Sequence, residues 1–190
     1  WGWCGRRLDA EGRPHGLTGR ELCQAAWAGA FDAFGSDSAE QGTLLVVALG
    51  PQPDALAGLA PPPNVATAAF LPQVDILREG VVAFLTHGGQ NSFTEALAHG
   101  APVVVCPGFS DQITNGRKAV ALGVGLAVDR PQPSFGCEGA AAARYRADVR
   151  RALLEVAAQP RFRAAAEECS RRLASAGGIP RAVGLVLATA

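Results

Sequence analysis

A short apolar run, Phe84-Leu85-Thr86, passes directly into His87-Gly88-Gly89-Gln90, and a polar helix start at Asn91 or Ser92 follows. That order of residue types suits an anion. Two glycines let the backbone approach a bulky group, the free N–H groups of a first helical turn point at it, and the helix dipole favours negative charge. Asn91 and Ser92 add side-chain donors, and His87 can place an N–H on a phosphate oxygen. Glu95, expected in the first turn, has two readings: it closes a capping box with Ser92, or it reaches a pair of ribose hydroxyls. Plainer readings stand beside these, with His87 an ordinary loop histidine and the glycine pair no more than a turn.

Two further junctions have the same form. Val103 to Cys106 leads through Pro107-Gly108-Phe109-Ser110 to Asp111-Gln112, a carboxylate beside an amide. Facing the crevice, that pair would grip sugar hydroxyls; otherwise Asp111 simply satisfies a helix dipole. At Phe70-Leu71-Pro72-Gln73 an aromatic closes an apolar segment. It either stacks on a base or is a core Phe before a proline turn.

Rival chemistries fail on spacing. His-Gly-Gly also suits an esterase oxyanion loop, but that chemistry needs a G-x-S-x-G elbow, and Gly108 to Gln112 lacks the final Gly. Gly123-Val124-Gly125 enters a strand instead of leaving one, against a dinucleotide fingerprint. Lys118 is the only lysine and lies within a helix, so there is no P-loop. No His, Asp or Glu spacing fits a metal site, and none is expected.

The elements that must position these residues alternate. Thr18-Gly19-Arg20-Glu21 has capping-box spacing before a helical stripe at Leu22, Ala25, Ala26, Ala30 and Phe34. Thr43 to Leu49 reads as a strand buried on both faces, and Asn64 to Phe70 as a second, with a turn of helix near 54–59 between them. A helix at Gln73 to Glu79, a strand at Val81 to Thr86, a helix at Ser92 to His99 and a strand at Pro102 to Cys106 follow. Then come a helix at Ser110 to Leu122, a strand at Gly125 to Asp129, and helices over 140–158, 161–174 and from about 179. Strands alternating with helices predict an α/β fold, a Rossmann-like parallel sheet with helices on both faces. Ligands bind such sheets beyond the carboxyl ends of the strands. Residues 1–18 hold no predicted element, and Pro131 to Gly139 reads as an insertion-like loop.

The chain has 190 residues, 48% of them apolar and 18% charged, enough to bury a core and too apolar for a disordered chain. Lys+Arg and Asp+Glu both total 17, so no basic field attracts nucleic acid or an anionic membrane. No apolar run is long enough to span a bilayer. Five cysteines (Cys4, Cys23, Cys106, Cys137 and Cys169) lack C-x-x-C spacing and point to a reducing, cytoplasmic compartment. Cys23 and Cys106, in apolar segments, are predicted core residues. There is no methionine, and Trp1 comes first, which is read as the mark of a piece of a longer protein.

Taken in order, Asn64-Val65, Phe70-x-Pro72-Gln73, Leu77, Phe84-x-Thr86-His87-x-Gly89-x-Asn91-Ser92-x-x-Glu95, Gly100-x-Pro102, Pro107, Asp111-Gln112 and Gly123-x-Gly125 resemble the nucleotide-sugar signature of the UDP-glycosyltransferases. These are GT-B fold enzymes that glycosylate small lipophilic molecules. The signature spans about a third of the chain, and weaker similarity to that family's C-terminal lobe extends over 19–190. The resemblance implies that Phe70 stacks on uracil with the Leu71 backbone and Gln73 nearby. It implies that His87, Gly89, Asn91 and Ser92 hold the diphosphate, Glu95 the ribose, and Asp111 with Gln112 the donor sugar. It also implies inverting transfer of a sugar from UDP-sugar to an acceptor hydroxyl, with no metal or other cofactor.

The departures carry their own expectations. The family's catalytic histidine belongs to an N-terminal acceptor lobe that has no counterpart here, so no residue is assigned as catalytic and His15 is not promoted to that role. The family's first strand and its Gly-Ser/Thr loop have no convincing version before Gly19. The sheet is therefore expected to lack its first strand, exposing an edge and a wet crevice. Little transferase activity is expected of the chain alone. Two alternatives stay open: a non-catalytic sugar-nucleotide-binding protein or subunit completed by a partner chain, and another GT-B enzyme such as a sugar-nucleotide epimerase.

Overall fold

A computed structural model describes residues 5–40, 42–52 and 54–188, with the side chain of residue 179 excepted. Trp1 and Cys4 lie outside the described residues.

Helix α1 (Gly19–Phe34) starts where the capping-box spacing puts it. The Thr18 hydroxyl accepts from Glu21 N, and Glu21 Oε2 accepts from Thr18 N at 2.7 Å. Its buried face presents Leu22, Ala26, Trp27 and Phe31 to Val149, Leu153 and Val156 of α5 (Glu138–Ala158). Each large apolar side chain so buried contributes roughly 1.5–3 kcal/mol. Gly29 lets the two helices close, since a Cβ there would stand 2.6 Å from the Arg146 carbonyl oxygen.

The described residues form seven strands in three sheets. β3 (Leu45–Ala48) pairs in parallel with β4 (Val65–Ala68), and β5 (Phe84–Thr86), β6 (Val103–Val105) and β7 (Gly125–Ala127) form a parallel sheet in that order. Between them run α2 (Gln73–Arg78), α3 (Gln90–Ala98) and α4 (Asp111–Ala121), with α6 (Pro160–Ser175) and α7 (Gly178–Ala188) at the end. Helices lie on both faces. β3 and β6 meet α1 and α5 in one core, while Val103, Val105, Phe93, Leu97 and Ala166 form a second on the other side.

The expected single sheet is thus divided: among the described residues no ladder joins β3 to β5, and each has a strand partner on one side only. The expectation that β3 is buried on both faces is corrected for the same reason. Leu45 and Val47 are buried, but Leu44 is 63% and Val46 39% exposed. The expected turn of helix near 54–59 is a plain turn, and Pro53 is outside the described residues.

Residues 1–18 are not without structure either. Arg7–Leu8 (β1) and Pro14–His15 (β2) pair antiparallel, with Arg7 opposite His15. The turn is built on Asp9, whose Oδ1 accepts from Glu11 N and Arg13 N. An Asp that folds back on its own backbone followed by Gly12 at φ +76° is a legible turn signal, hidden in the sequence by the surrounding arginines.

Candidate functional site

The carboxyl ends of β4, β5 and β6 each run into a helix, and the residues singled out by type gather at these three exits. The central one is held from below. Gly88 N donates to Thr86 Oγ1 at 3.2 Å, and Asn115 Nδ2 of α4 donates to the Gly88 carbonyl at 2.8 Å. Gly88 has φ +81°, and a Cβ on it would stand 2.5 Å from the Val105 side chain. Only glycine fits there.

Helix α3 begins at Gln90 with Gly89 as its N-cap, two residues earlier than the sequence pattern suggests. Ser92 is therefore not the cap, and Glu95 stands in the second turn and not the first. A glycine N-cap has no side chain of its own to take up the helix's first amides. The first helical bond runs from Phe93 N to the Gly89 carbonyl, so the amides of Asn91 and Ser92 point out of the helix end. His87 stands at this mouth, its Nε2 2.5 Å from where a Gly89 Cβ would lie. Burial pulls the His87 pKa below its ordinary 6.5, against an opposing pull from the Asp111 carboxylate.

On one side of the mouth lies a carboxylate–amide–hydroxyl set. Gln73 Nε2, from the first turn of α2, reaches Glu95 Oε2 at 2.5 Å and Ser92 Oγ at 3.3 Å. Glu95 thus faces the crevice and does not close a capping box. Phe70 precedes α2 and is 79% exposed, which removes the reading of a core Phe. The Leu71 side chain is half-buried, and its carbonyl accepts from Gln73 N at 2.8 Å.

On the other side lies the loop from Pro107 to Ser110. Asp111 Oδ2 accepts from Gln90 N at 3.1 Å and so already occupies one amide of the α3 terminus. Gln112 does not face the crevice. It is buried, and its Oε1 accepts from Gly108 N at 2.8 Å and from Phe109 N at 3.3 Å. Its work is to hold the loop that Asp111 follows. Ser110 has φ 55°, a strained backbone for a residue with a side chain.

The structure therefore brings Gln73, Ser92 and Glu95 together, and His87, Gly89 and Asp111 together. Asn91 is exposed at the helix end, Phe70 projects into solvent, and Gln112 is turned inward. Sequence reasoning quoted Thr86 without giving it a role and missed Asn115, both buried and both bonded to Gly88. The available signal was a row of polar and small residues, Gln112, Asn115 and Ala119, at helical spacing along the buried face of α4. A separate cavity of about 330 Å³ between β7 and α5, lined by Asp129, Asp148, Arg151 and Glu155 among others, involves none of these residues.

Comparison with known proteins agrees with this geometry. The family described as UDP-glucoronosyl and UDP-glucosyl transferase matches residues 42–138, just over half the chain. UDP-glucuronosyltransferase 3A1 of Mus musculus is 42% identical over 67 residues, which is 35% of this chain and 13% of that protein. A UDP-glycosyltransferase of Talaromyces amestolkiae is 42% identical over 62 residues, 32% of this chain and 12% of that one. Among solved structures, the glycotransferase of kitacinnamycin superposes with a TM-score of 0.65 at 30% identity, over 87% of this chain and 37% of that one. The calicheamicin glycosyltransferase CalG4 does so with 0.67 at 26%, over 90% and 38%. The chain thus matches about an eighth of its curated relatives' length and over a third of the solved chains. With a GT-B glycosyltransferase fold and a family match across all three strand exits, the chain belongs to the UDP-glucoronosyl and UDP-glucosyl transferase family.

Proposed function

We propose that residues 19–190 are the donor-binding lobe of a UDP-dependent glycosyltransferase, one that passes a sugar from UDP-sugar to a hydroxyl of a small lipophilic acceptor with inversion. The observation that carries this is the open N-terminus of α3, with His87 at its mouth and the Gln73–Glu95 pair one turn below. His87, Gly89, Asn91 and Ser92 then hold the diphosphate, whose charge meets outward amides and a helix dipole. As the sugar leaves, negative charge grows on the diphosphate, and donors fixed beforehand stabilise it without a metal or other cofactor. Glu95, oriented by Gln73, accepts from the ribose hydroxyls. Phe70, already exposed, offers a face to the uracil, with Leu71 and Gln73 beside it. Asp111 takes the donor sugar, while Gln112 acts through the loop it holds and not by touching the ligand.

No residue of this lobe is assigned as the base, so the acceptor and its activating group belong to a second lobe, and this chain alone turns over little. The five cysteines lack C-x-x-C spacing, which supports a reducing, cytoplasmic setting. Calorimetry with UDP tests the binding site. His87→Ala and Glu95→Ala should each weaken binding about tenfold, the scale of one charge-assisted hydrogen bond. Wild-type affinity in both variants would sink the site as drawn. Rapid glucosylation of a phenol by the chain alone would refute the two-lobe reading.

A further inference from the structure

The β1–β2 hairpin joins neither parallel ladder, yet it is firmly seated at the site's edge. Arg6 donates to the Gly16 carbonyl at 2.8 Å and pairs with Glu21 and Glu138, at 2.8 and 3.0 Å. Gly16 N donates to the Pro133 carbonyl at 2.9 Å, so the loop expected as an insertion is the hairpin's seat. Charge accounting then singles out one residue. Arg6 is met by two carboxylates, and Arg13 by Asp9 and Glu11. Arg7 has no carboxylate partner among the described residues.

Among the described residues the Arg7 side chain makes one hydrogen bond, from NH2 to the Gly108 carbonyl at 3.2 Å. A guanidinium has five N–H donors, so most of its capacity is unspent. Gly108 is the residue whose amide Gln112 grips, and the Gln112 backbone oxygen lies 3.3 Å from where a Gly88 Cβ would stand. The hairpin therefore delivers an uncompensated positive charge to the loop beside the phosphate-facing turn, on the side of Asp111 and away from Glu95. Nothing in the motif of the strand exits encodes this charge.

Resting on the donor-binding reading above, we infer that Arg7 contacts an anionic oxygen at the sugar end of the donor, on the β-phosphate or on the carboxylate of a uronic acid. Both are planar-fork targets for a guanidinium. The contact is solvent-exposed, so its worth is modest, about fivefold in affinity.

The test measures binding of UMP, UDP-glucose and UDP-glucuronic acid to the wild-type chain, Arg7→Gln, Arg7→Lys and the control Arg13→Gln. Arg7→Gln should leave UMP unchanged and weaken the sugar donors about fivefold. Arg7→Lys, which keeps the charge and loses the fork, should fall between. Loss with both donors identifies the phosphate as the partner, and loss with UDP-glucuronic acid alone identifies the carboxylate. Unchanged binding of both donors overturns the inference. So does equal weakening of UMP, or an Arg13→Gln variant as weak as Arg7→Gln, because bulk charge would then account for the effect. A wild-type chain that binds none of the three ligands refutes the donor-binding reading itself, a result distinct from a silent Arg7.

Discussion

His87 combines two demands that pull its proton in opposite directions. Its ring is half-buried, and burial favours the neutral imidazole, so in the free protein it titrates below 6.5. Between its lowered folded pKa and that value, the unfolded chain binds the proton more readily. The stabilising contribution is therefore full above 6.5 and is lost as pH falls through the folded pKa. A diphosphate at the α3 terminus reverses the preference, because its charge favours the imidazolium. NMR titration of the ring should place its midpoint below the ordinary value in the free chain and move it upward with UDP. Affinity for UDP should rise as pH is lowered from neutrality, and His87→Gln should remove that rise.

Residue types were the most legible part of the site. His87, Gly89, Asn91 and Glu95 were readable because a strand, two glycines and a polar helix start have few other uses in that order. What was illegible was direction. Gln112 sits beside Asp111 in sequence, yet neighbouring helix residues point about 100° apart, so one can face the crevice while the other is buried. Ser92 and Glu95 have capping-box spacing, but the helix starts at Gln90 behind Gly89, a cap without a side chain that leaves no local sequence mark.

At the scale of elements, the phosphate-facing turn is a product of α4 as much as of β5. Asn115 is buried and donates to the Gly88 carbonyl from the second turn of the helix. Asn115→Leu keeps approximate volume and removes the donor, leaving that carbonyl unsatisfied at a cost of about 1–3 kcal/mol. Thermal melting should show the loss, and UDP binding should weaken although residue 115 touches no ligand. A variant with wild-type stability and affinity would show that Thr86 alone holds the turn. The strands were legible in position because short apolar runs between glycines and prolines have few other structures. The β1–β2 hairpin was not, since two-residue strands carry no periodicity to read.

For the whole molecule, the divided sheet sets the order of local stability. β6 is paired on both sides and its three valines are fully buried, whereas β3 is paired on one side only. Leu45 N donates to the carbonyl of Asn64, just before β4, and Leu49 N to that of Ala68 at its end, so by alternation the amides of Val46 and Ala48 face the unpaired edge. Hydrogen exchange should be fast at Val46 and Ala48 and slowest at Val104. Equal protection of β3 and β6 would mean that the β3 edge is covered in solution. The sequence could not convey this division. Thr43 to Leu49 is apolar throughout, as a central strand would be, and only the pairing shows that one side has no neighbour.

That division also decides what governs the crevice's width. In the proposed site the base end follows β4 and the phosphate end follows β5, and among the described residues no backbone ladder connects the two. Their separation is fixed by side-chain packing against α1 and α5, and by a single side-chain strap, Gln73, drawn across to Ser92 and Glu95. Packing is a matter of volume, and a strap a matter of one torsion. The aperture of the proposed site is therefore a matter of core volume, one that a single methylene added to or removed from the α1–α5 core would reset while every strand hydrogen bond stays intact.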